Sequence, residues 1–265
     1  TIEGRGLKGL SIPPHPIDVG NSGTTARLLI GLLAGQDFPS TITGDIYLCS
    51  RPMDRVISPI SNMGASLDDG KRPGYLPIDI YPSKLHGIDY TLPIASAQVK
   101  SAILLATLYA TSPTVIRGDR NSRNHTELML KAMGADIAAK EKYICLTPTP
   151  SLCARDMYIP GDISSAAFFI TAGLLVPNAT IIIKDIGLNI TRSGILDVYS
   201  DMGANIELEN VVETAGELKG DIKVSSSSLT STTIAGDIIP RLIDEIPIIA
   251  LAATQANGTS IIKDA

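Results

Sequence analysis

The chain has 265 residues, 44% of them hydrophobic and 18% charged, and a formal net charge of −5. That composition supports a substantial core in one large domain or two ordinary ones. The acidic balance argues against a general nucleic-acid or membrane-surface binder. No apolar run reaches the roughly 18 residues of a membrane-spanning helix, and no secretory leader pattern is visible. The three cysteines, Cys49, Cys145 and Cys153, lack metal-type spacing, so a reduced, cytoplasmic setting is expected with no bound metal.

Taken in chain order, the first strong element is "GNSGTTARLLIGLLAG" from Gly20, a small polar cluster that opens an apolar helix. "RPMDRVISPISNMGASLD" follows, with Val56, Ile57, Ile60 and Met63 on one helical face. A second apolar helix is expected in "SAQVKSAILLATLYA", then a strand in "TVIRG". "SRNHTELMLKAMGADIAA" repeats the amphipathic pattern and leads through a charged "KEK" turn to a strand in "YICLTP". Prolines 148, 150 and 160 interrupt periodicity and suggest a domain boundary, giving domains 1–156 and 157–265. Beyond it come the apolar helix "ISSAAFFITAGLLVP", the strand "ATIIIKDIG" and the amphipathic "TRSGILDVYSDMGANIEL". A last apolar helix, "DEIPIIALAATQANG", and a strand, "TSIIKDA", close the chain.

This order is a repeat. Met63, Met133 and Met202 each precede Gly-Ala and recur every 69 to 70 residues. Each glycine suits the left-handed position that stops a helix. The repeating unit is strand, apolar helix, strand, amphipathic helix, then two strands. Apolar nearly all round, the first helix of each unit is expected to be buried on most sides. The fold class is therefore α/β (mixed α+β), built of βαβαββ modules grouped in two domains. The chain begins inside one module and stops at a strand, as expected of part of a longer protein with a nearly complete first domain and a partial second one. Incomplete modules would leave apolar faces uncovered, so self-association of this chain is expected.

Helix starts carry unpaired N–H groups and about half a positive charge, which makes them seats for phosphate or carboxylate. "GNSGTT" keeps side chains small, so an anion can approach the backbone. Ser96 and Gln98 stand at the start of another apolar helix, and Arg51 and Arg123 just before amphipathic ones. Guanidinium groups bind such anions through paired hydrogen bonds. Several anion seats in one architecture point to a ligand with more than one anionic group. Each feature also has a plain structural reading as cap, core satisfier or surface ion pair. Arg27, within an apolar helix, reads as a structural ion-pair partner, and His15, His86 and His125 as surface or loop residues. Asp244 and Glu245 open the last helix as dipole caps or as a carboxylate poised for general-base chemistry.

In combination, "GNSGTTARLL", "RPMDRV", "LPIASAQVKSAILLA", "SRNHTE", "PGDISSAAFF" and "GDIIPRLIDEIPIIALAATQANGT" resemble the 3-phosphoshikimate 1-carboxyvinyltransferase (EPSP synthase) family, in its Gram-positive-like form, over essentially the whole chain. The resemblance implies two domains of βαβαββ units, the alpha/beta prism shared with the RNA-phosphate cyclases. It implies transfer of the enolpyruvyl group of phosphoenolpyruvate to the 5-hydroxyl of shikimate 3-phosphate, a step of the shikimate pathway to aromatic amino acids, with no cofactor. It also implies a cytoplasmic enzyme, monomeric at full length, whose partners are these small molecules.

Residue by residue, the resemblance puts Gly23 and nearby Asn21 on phosphoenolpyruvate, with Arg51 on one of its anionic groups. Ser96, Ala97 and Gln98 would hold shikimate 3-phosphate, with Gln98 reaching both ligands. Arg123, with Ser122 beside it, would touch the shikimate phosphate, and Asp244 would engage the attacking hydroxyl as the catalytic acid–base group. The family's N-terminal lysine-serine and arginine cluster and its downstream Lys-x-Lys-Glu segment have no counterpart here, so little turnover is expected of this chain alone. Two alternatives are the sister enzyme acting on UDP-N-acetylglucosamine and a non-catalytic binding module of repeated units. The first expects a reactive cysteine in a glycine-rich loop, and none of the three cysteines has that setting.

Overall fold

A computed structural model describes residues 3–70, 72–118, 122–140 and 143–265. In chain order, β1 (Ile17–Asp18), α1 (Gly23–Leu33), β2 (Ser40–Thr43), α2 (Asp54–Asn62), β3 (Ser66–Asp68) and β4 (Ile78–Tyr81) form the first module. The second comprises β5 (Asp89–Thr91), α3 (Ala97–Thr107), β6 (Thr114–Arg117), α4 (His125–Ala132), β7 (Asp136–Lys140) and β8 (Tyr143–Thr147). The third holds α5 (Ile163–Leu175), β9 (Thr180–Gly187), α6 (Gly194–Asp201), β10 (Asn205–Thr214) and β11 (Glu217–Ser225). A fourth begins with β12 (Thr233–Ile234), α7 (Ile246–Ala253) and β13 (Ile261–Ile262).

The sheets repeat one topology. Their orders are β1-β2-β4-β3 and β5-β6-β8-β7, with the first pair parallel and the others antiparallel. The third sheet runs β10-β11-β9, and an isolated parallel bridge from Gly161 to Ile186 stands where its first strand would be. β12 and β13 pair in parallel, as the first two strands of the other modules do. Parallel partners need a crossover, and the apolar helix of each module supplies it. Gly64, Gly134 and Gly203 have φ of +95°, +88° and +80°, the left-handed turn that redirects the chain from helix to strand. The expected "KEK" turn lies partly outside the described residues.

Two compact units result, Thr1–Asp119 with Met129–Arg155, and Arg120–Leu128 with Asp156–Ala265. Each has its own core. In the first, Ile30, Ile60, Ile78 and Ile103 are fully buried, and in the second Ile170, Leu174, Val198 and Ile222. Each such side chain contributes on the order of 1.5–3 kcal/mol. α1 and α3 pack at backbone distance, because a Cβ on Gly31 would stand 2.1 Å from the Ala102 carbonyl oxygen. α5 and α7 depart from the sequence expectation of helices buried on most sides. Phe168 and Phe169 are 61% and 62% exposed, and Leu251 is half exposed. No helix among the described residues is long and apolar enough to cross a membrane.

Candidate active site

Six of the nine residues singled out in the sequence (Asn21, Gly23, Arg51, Ser96, Ala97, Gln98) fall in the first unit, and three (Ser122, Arg123, Asp244) in the second. In the first unit the starts of α1 and α3 converge. Ser22 caps α1, its Oγ accepting from the Thr25 amide at 3.2 Å, and Ser96 caps α3 by accepting from Val99 at 3.5 Å. Gln98 ties the two ends together. Its Nε2 donates to Thr24 Oγ1 at 2.8 Å, and its Oε1 accepts from Arg27 Nη1 at 2.6 Å. Both caps are neutral hydroxyls, so neither helix end has a carboxylate cap to offset its positive pole.

Guanidinium groups gather at the same place. Arg27 lies one turn after Gly23 on α1 and also donates to the Pro52 carbonyl at 3.2 Å. Partial burial, then the charges of Arg51 and Arg55, lower the Arg27 pKa below its ordinary value. Like charges held together in this way raise one another's energy, and a bound anion relieves the repulsion. Arg51 Nη2 donates to Asn21 Oδ1 at 3.1 Å, and Asn21 Nδ2 donates to Asp45 Oδ2 at 2.8 Å. The hydrogen bond from Asn21, then that from the Leu48 amide, holds the Asp45 carboxyl below its usual range. Asp45 therefore fixes Asn21, and Asn21 steers Arg51. Gly23 leaves the space between open. A Cβ there would lie 3.2 Å from Arg27 Nη1 and 3.8 Å from Arg51 Nη1.

Arg27 corrects one reading of the sequence, because its partners are an amide and a backbone carbonyl rather than a carboxylate. Four residues after Gly23, it shares that glycine's helix face. That spacing was the available signal.

In the second unit, Arg123 Nη2 and Asp244 Oδ2 form an ion pair at 2.5 Å. Ser122 is buried. Asp244 directly precedes Glu245, the N-cap residue of α7, whose side chain makes no capping hydrogen bond. Glu245 is 1% exposed, and neither carboxylate oxygen has a hydrogen-bond partner among the described residues. α5 differs from α1 and α3 in being capped by an acid. Asp162 accepts from the amides of Ser164 and Ser165 and pairs with Arg192, so this helix end is already neutralised from within.

His125, expected at the surface or in a loop, has a side chain that is 40% exposed. It stands at the start of α4, with Nδ1 2.6 Å from Glu217 Oε1 and Nε2 buried. Burial alone would raise the Glu217 carboxyl. The hydrogen bonds from His125 and Asn189 outweigh it and hold the group below its ordinary value. No cluster of three or more metal-ligating side chains occurs among the described residues.

Comparison with known proteins places this geometry in a lineage. The family model for "EPSP synthase (3-phosphoshikimate 1-carboxyvinyltransferase)" matches residues 1–265. Curated relatives named 3-phosphoshikimate 1-carboxyvinyltransferase include those of Oceanobacillus iheyensis, 52% identical over 265 residues, and Bacillus subtilis, 48% identical over 264. Both alignments cover 100% of this chain and 62% of the relative, so the chain spans about three-fifths of their length. A solved EPSP synthase from Acinetobacter baumannii superposes with a TM-score of 0.89 at 38% identity, covering 97% of this chain and 58% of that one. The enolpyruvyl transferase NikO from Streptomyces tendae shares the fold, with a TM-score of 0.68 at 16% identity over 88% of this chain and 55% of that one. The two convergent helix ends, the repeated βαβαββ topology and the match along every residue lead to one conclusion: the chain belongs to the EPSP synthase family.

Proposed function

We propose that the complete gene product carrying this chain transfers the enolpyruvyl group of phosphoenolpyruvate to the 5-hydroxyl of shikimate 3-phosphate and releases phosphate. The observation that carries the reading is the meeting of the α1 and α3 starts through Gln98, beside the Arg27 and Arg51 guanidiniums. Two polyanions repel each other, and preorganised amides and guanidiniums offset that repulsion without reorganising during the reaction.

In this reading Gly23, Asn21 and Arg51 seat phosphoenolpyruvate, and Arg27 is added to that group. Ser96, Ala97 and Gln98 hold shikimate 3-phosphate, and Ser122 and Arg123 take its phosphate. Asp244 engages the 5-hydroxyl as general base. The hydroxyl oxygen bonds to the central enol carbon while the methylene carbon gains a proton. The tetrahedral adduct then loses phosphate from that carbon and a proton from the methyl group, which restores the vinyl ether. In the structure Asp244 Oδ2 accepts a hydrogen bond from Arg123, so the arginine assigned to the phosphate stands beside the carboxylate assigned to the hydroxyl.

The same proposal assigns residues 1–156 to a substrate-binding domain and 157–265 to a second one, a division that the two compact units support apart from residues 120–128 and Asp156. It places the protein in the cytoplasm, in keeping with three free cysteines, as a monomer when complete. The exposed Phe168 and Phe169 support self-association of the 265-residue chain, testable by light scattering over a concentration series.

The test of the function is phosphate release by the complete gene product from the two substrates. Turnover lost or cut at least about 100-fold in Arg27→Ala and in Asp244→Ala supports the reading. Unaltered rates in both variants, or turnover of a nucleotide sugar instead, would overturn it.

A further inference from the structure

The loop joining β9 to α6 holds residues near each member of the Arg123–Asp244 pair, Asn124 beside the arginine and Arg241 three residues before the aspartate. Asn189, 6% exposed, uses its whole hydrogen-bonding capacity there. Its Nδ2 donates to Asn124 Oδ1 at 2.8 Å and to Glu217 Oε2 at 2.9 Å. Its Oδ1 accepts from the Thr191 amide at 2.8 Å and from Thr191 Oγ1 at 2.7 Å. Thr191 Oγ1 in turn accepts from the Asn124 amide at 3.3 Å. The residue after Arg123 is therefore held twice. One position along the loop, the Ile190 carbonyl accepts from Arg241 Nε at 2.6 Å. Arg241 lies three residues before Asp244 and pairs with Asp197 at 2.6 Å.

We propose that Asn189 is a positioning residue: through Asn124 on one side and the Ile190–Arg241 contact on the other, it sets the separation and orientation of Arg123 and Asp244 in the reaction. A network around a buried, saturated amide has one geometry, and losing one member leaves its partners short of a bond. Glu217 belongs to the device as the second acceptor of the Asn189 amide, and His125 holds Glu217 from the far side.

This inference rests on the function proposed above. Its test uses the complete gene product with Asn189→Asp, Glu217→Gln, both together, and Arg123→Ala in parallel. Asn189→Asp keeps the shape and both Thr191 contacts. It replaces a double donor with an acceptor facing Asn124 Oδ1 and the Glu217 carboxylate. The expected result is a fall of about 10- to 100-fold in kcat/KM for shikimate 3-phosphate, with the KM for phosphoenolpyruvate within about two-fold. In the double variant the amide introduced at position 217 can donate to the carboxylate introduced at position 189, and about five-fold or more of the loss returns. A merely structural role would not give that rescue with reversed polarity.

The inference is overturned if Asn189→Asp keeps kcat/KM within about two-fold, or if a folded double variant does no better than the single one. Should Asn189→Asp not fold, Glu217→Gln alone decides: it must lower kcat/KM for shikimate 3-phosphate selectively, and an unchanged value overturns the proposal. An Arg123→Ala variant with normal kinetics, or an unmodified protein that turns over neither substrate, removes the functional assignment, and the positioning role falls with it. Loss in Arg123→Ala with no loss in the Asn189 and Glu217 variants overturns the positioning role alone.

Discussion

Gln98 reaches from the start of α3 to Thr24 at the start of α1, at 2.8 Å, while its carbonyl oxygen holds Arg27 at 2.6 Å. One side chain thus joins two helix termini and orients a guanidinium. Gln98→Ala removes both bonds and leaves Arg27 held only by the Pro52 carbonyl among the described residues. Affinity for shikimate 3-phosphate, measured by calorimetric titration of the complete gene product, is expected to fall about 10- to 100-fold, the range of one or two hydrogen bonds to charged groups. An unchanged Kd would remove Gln98 from the site.

The close approach of α1 to α3 gives a stability prediction. A Cβ at Gly31 has to fit 2.1 Å from the Ala102 carbonyl oxygen, and helix backbone on both sides leaves nothing flexible to move aside. Gly31→Ala is expected to destabilise the protein by about 1–3 kcal/mol through overpacking, despite the better helix propensity of alanine. Urea unfolding monitored by circular dichroism measures it. A stabilised variant would contradict the packing described for these helices.

Glu245 gives the opposite sign. A carboxylate at 1% exposure whose oxygens accept no hydrogen bond among the described residues destabilises the fold around it. Glu245→Gln keeps the shape and removes the charge. Stability is expected to rise by about 1–2 kcal/mol in denaturant titrations of the 265-residue chain. A loss of stability would contradict the unpaired burial described for this side chain.

Tyr199 predicts an alkaline limb. Burial pushes its hydroxyl up to about 12, partly offset by the hydrogen bond with Thr171. A folded-state value above the unfolded one gives stability that is present below the ordinary tyrosine pKa of 10 and lost as pH rises through about 12. Tyr199→Phe is expected to melt lower at neutral pH, through loss of the 2.5 Å contact with Thr171 Oγ1. It should also show a flatter decline of Tm between these two pH values than the unmodified chain. Parallel declines would assign the alkaline loss to other groups.

The repeat is readable from the sequence because it is a local property. Methionine-glycine-alanine at a fixed period and four apolar helices, each opening on small or polar residues, mark the modules without any knowledge of how they pack. The starts of α1 and α3 are readable for the same reason, since caps and glycines act within one turn. Arg27 escapes such a reading because an arginine among leucines looks like a buried ion pair until Gln98, 71 residues away, is seen to meet it. The pairing of His125 with Glu217 is hidden for a similar reason, because the two residues are 92 apart in the chain. The exposed Phe168 and Phe169 on α5 show the converse: composition reports how apolar a helix is, whereas neighbouring elements decide how much of it is covered.

One carboxylate separates α5 from α1 and α3. Asp162 stands where Ser22 and Ser96 stand in the earlier modules, and it satisfies the first-turn amides itself. The repeated architecture hence presents the same helix start three times, and one residue decides whether its positive pole is met by a carboxylate of the chain or by a neutral hydroxyl. Exchanging Asp162 for serine would keep a neutral hydroxyl cap of the kind seen on α1 and α3 while removing the negative charge that Arg192 now meets.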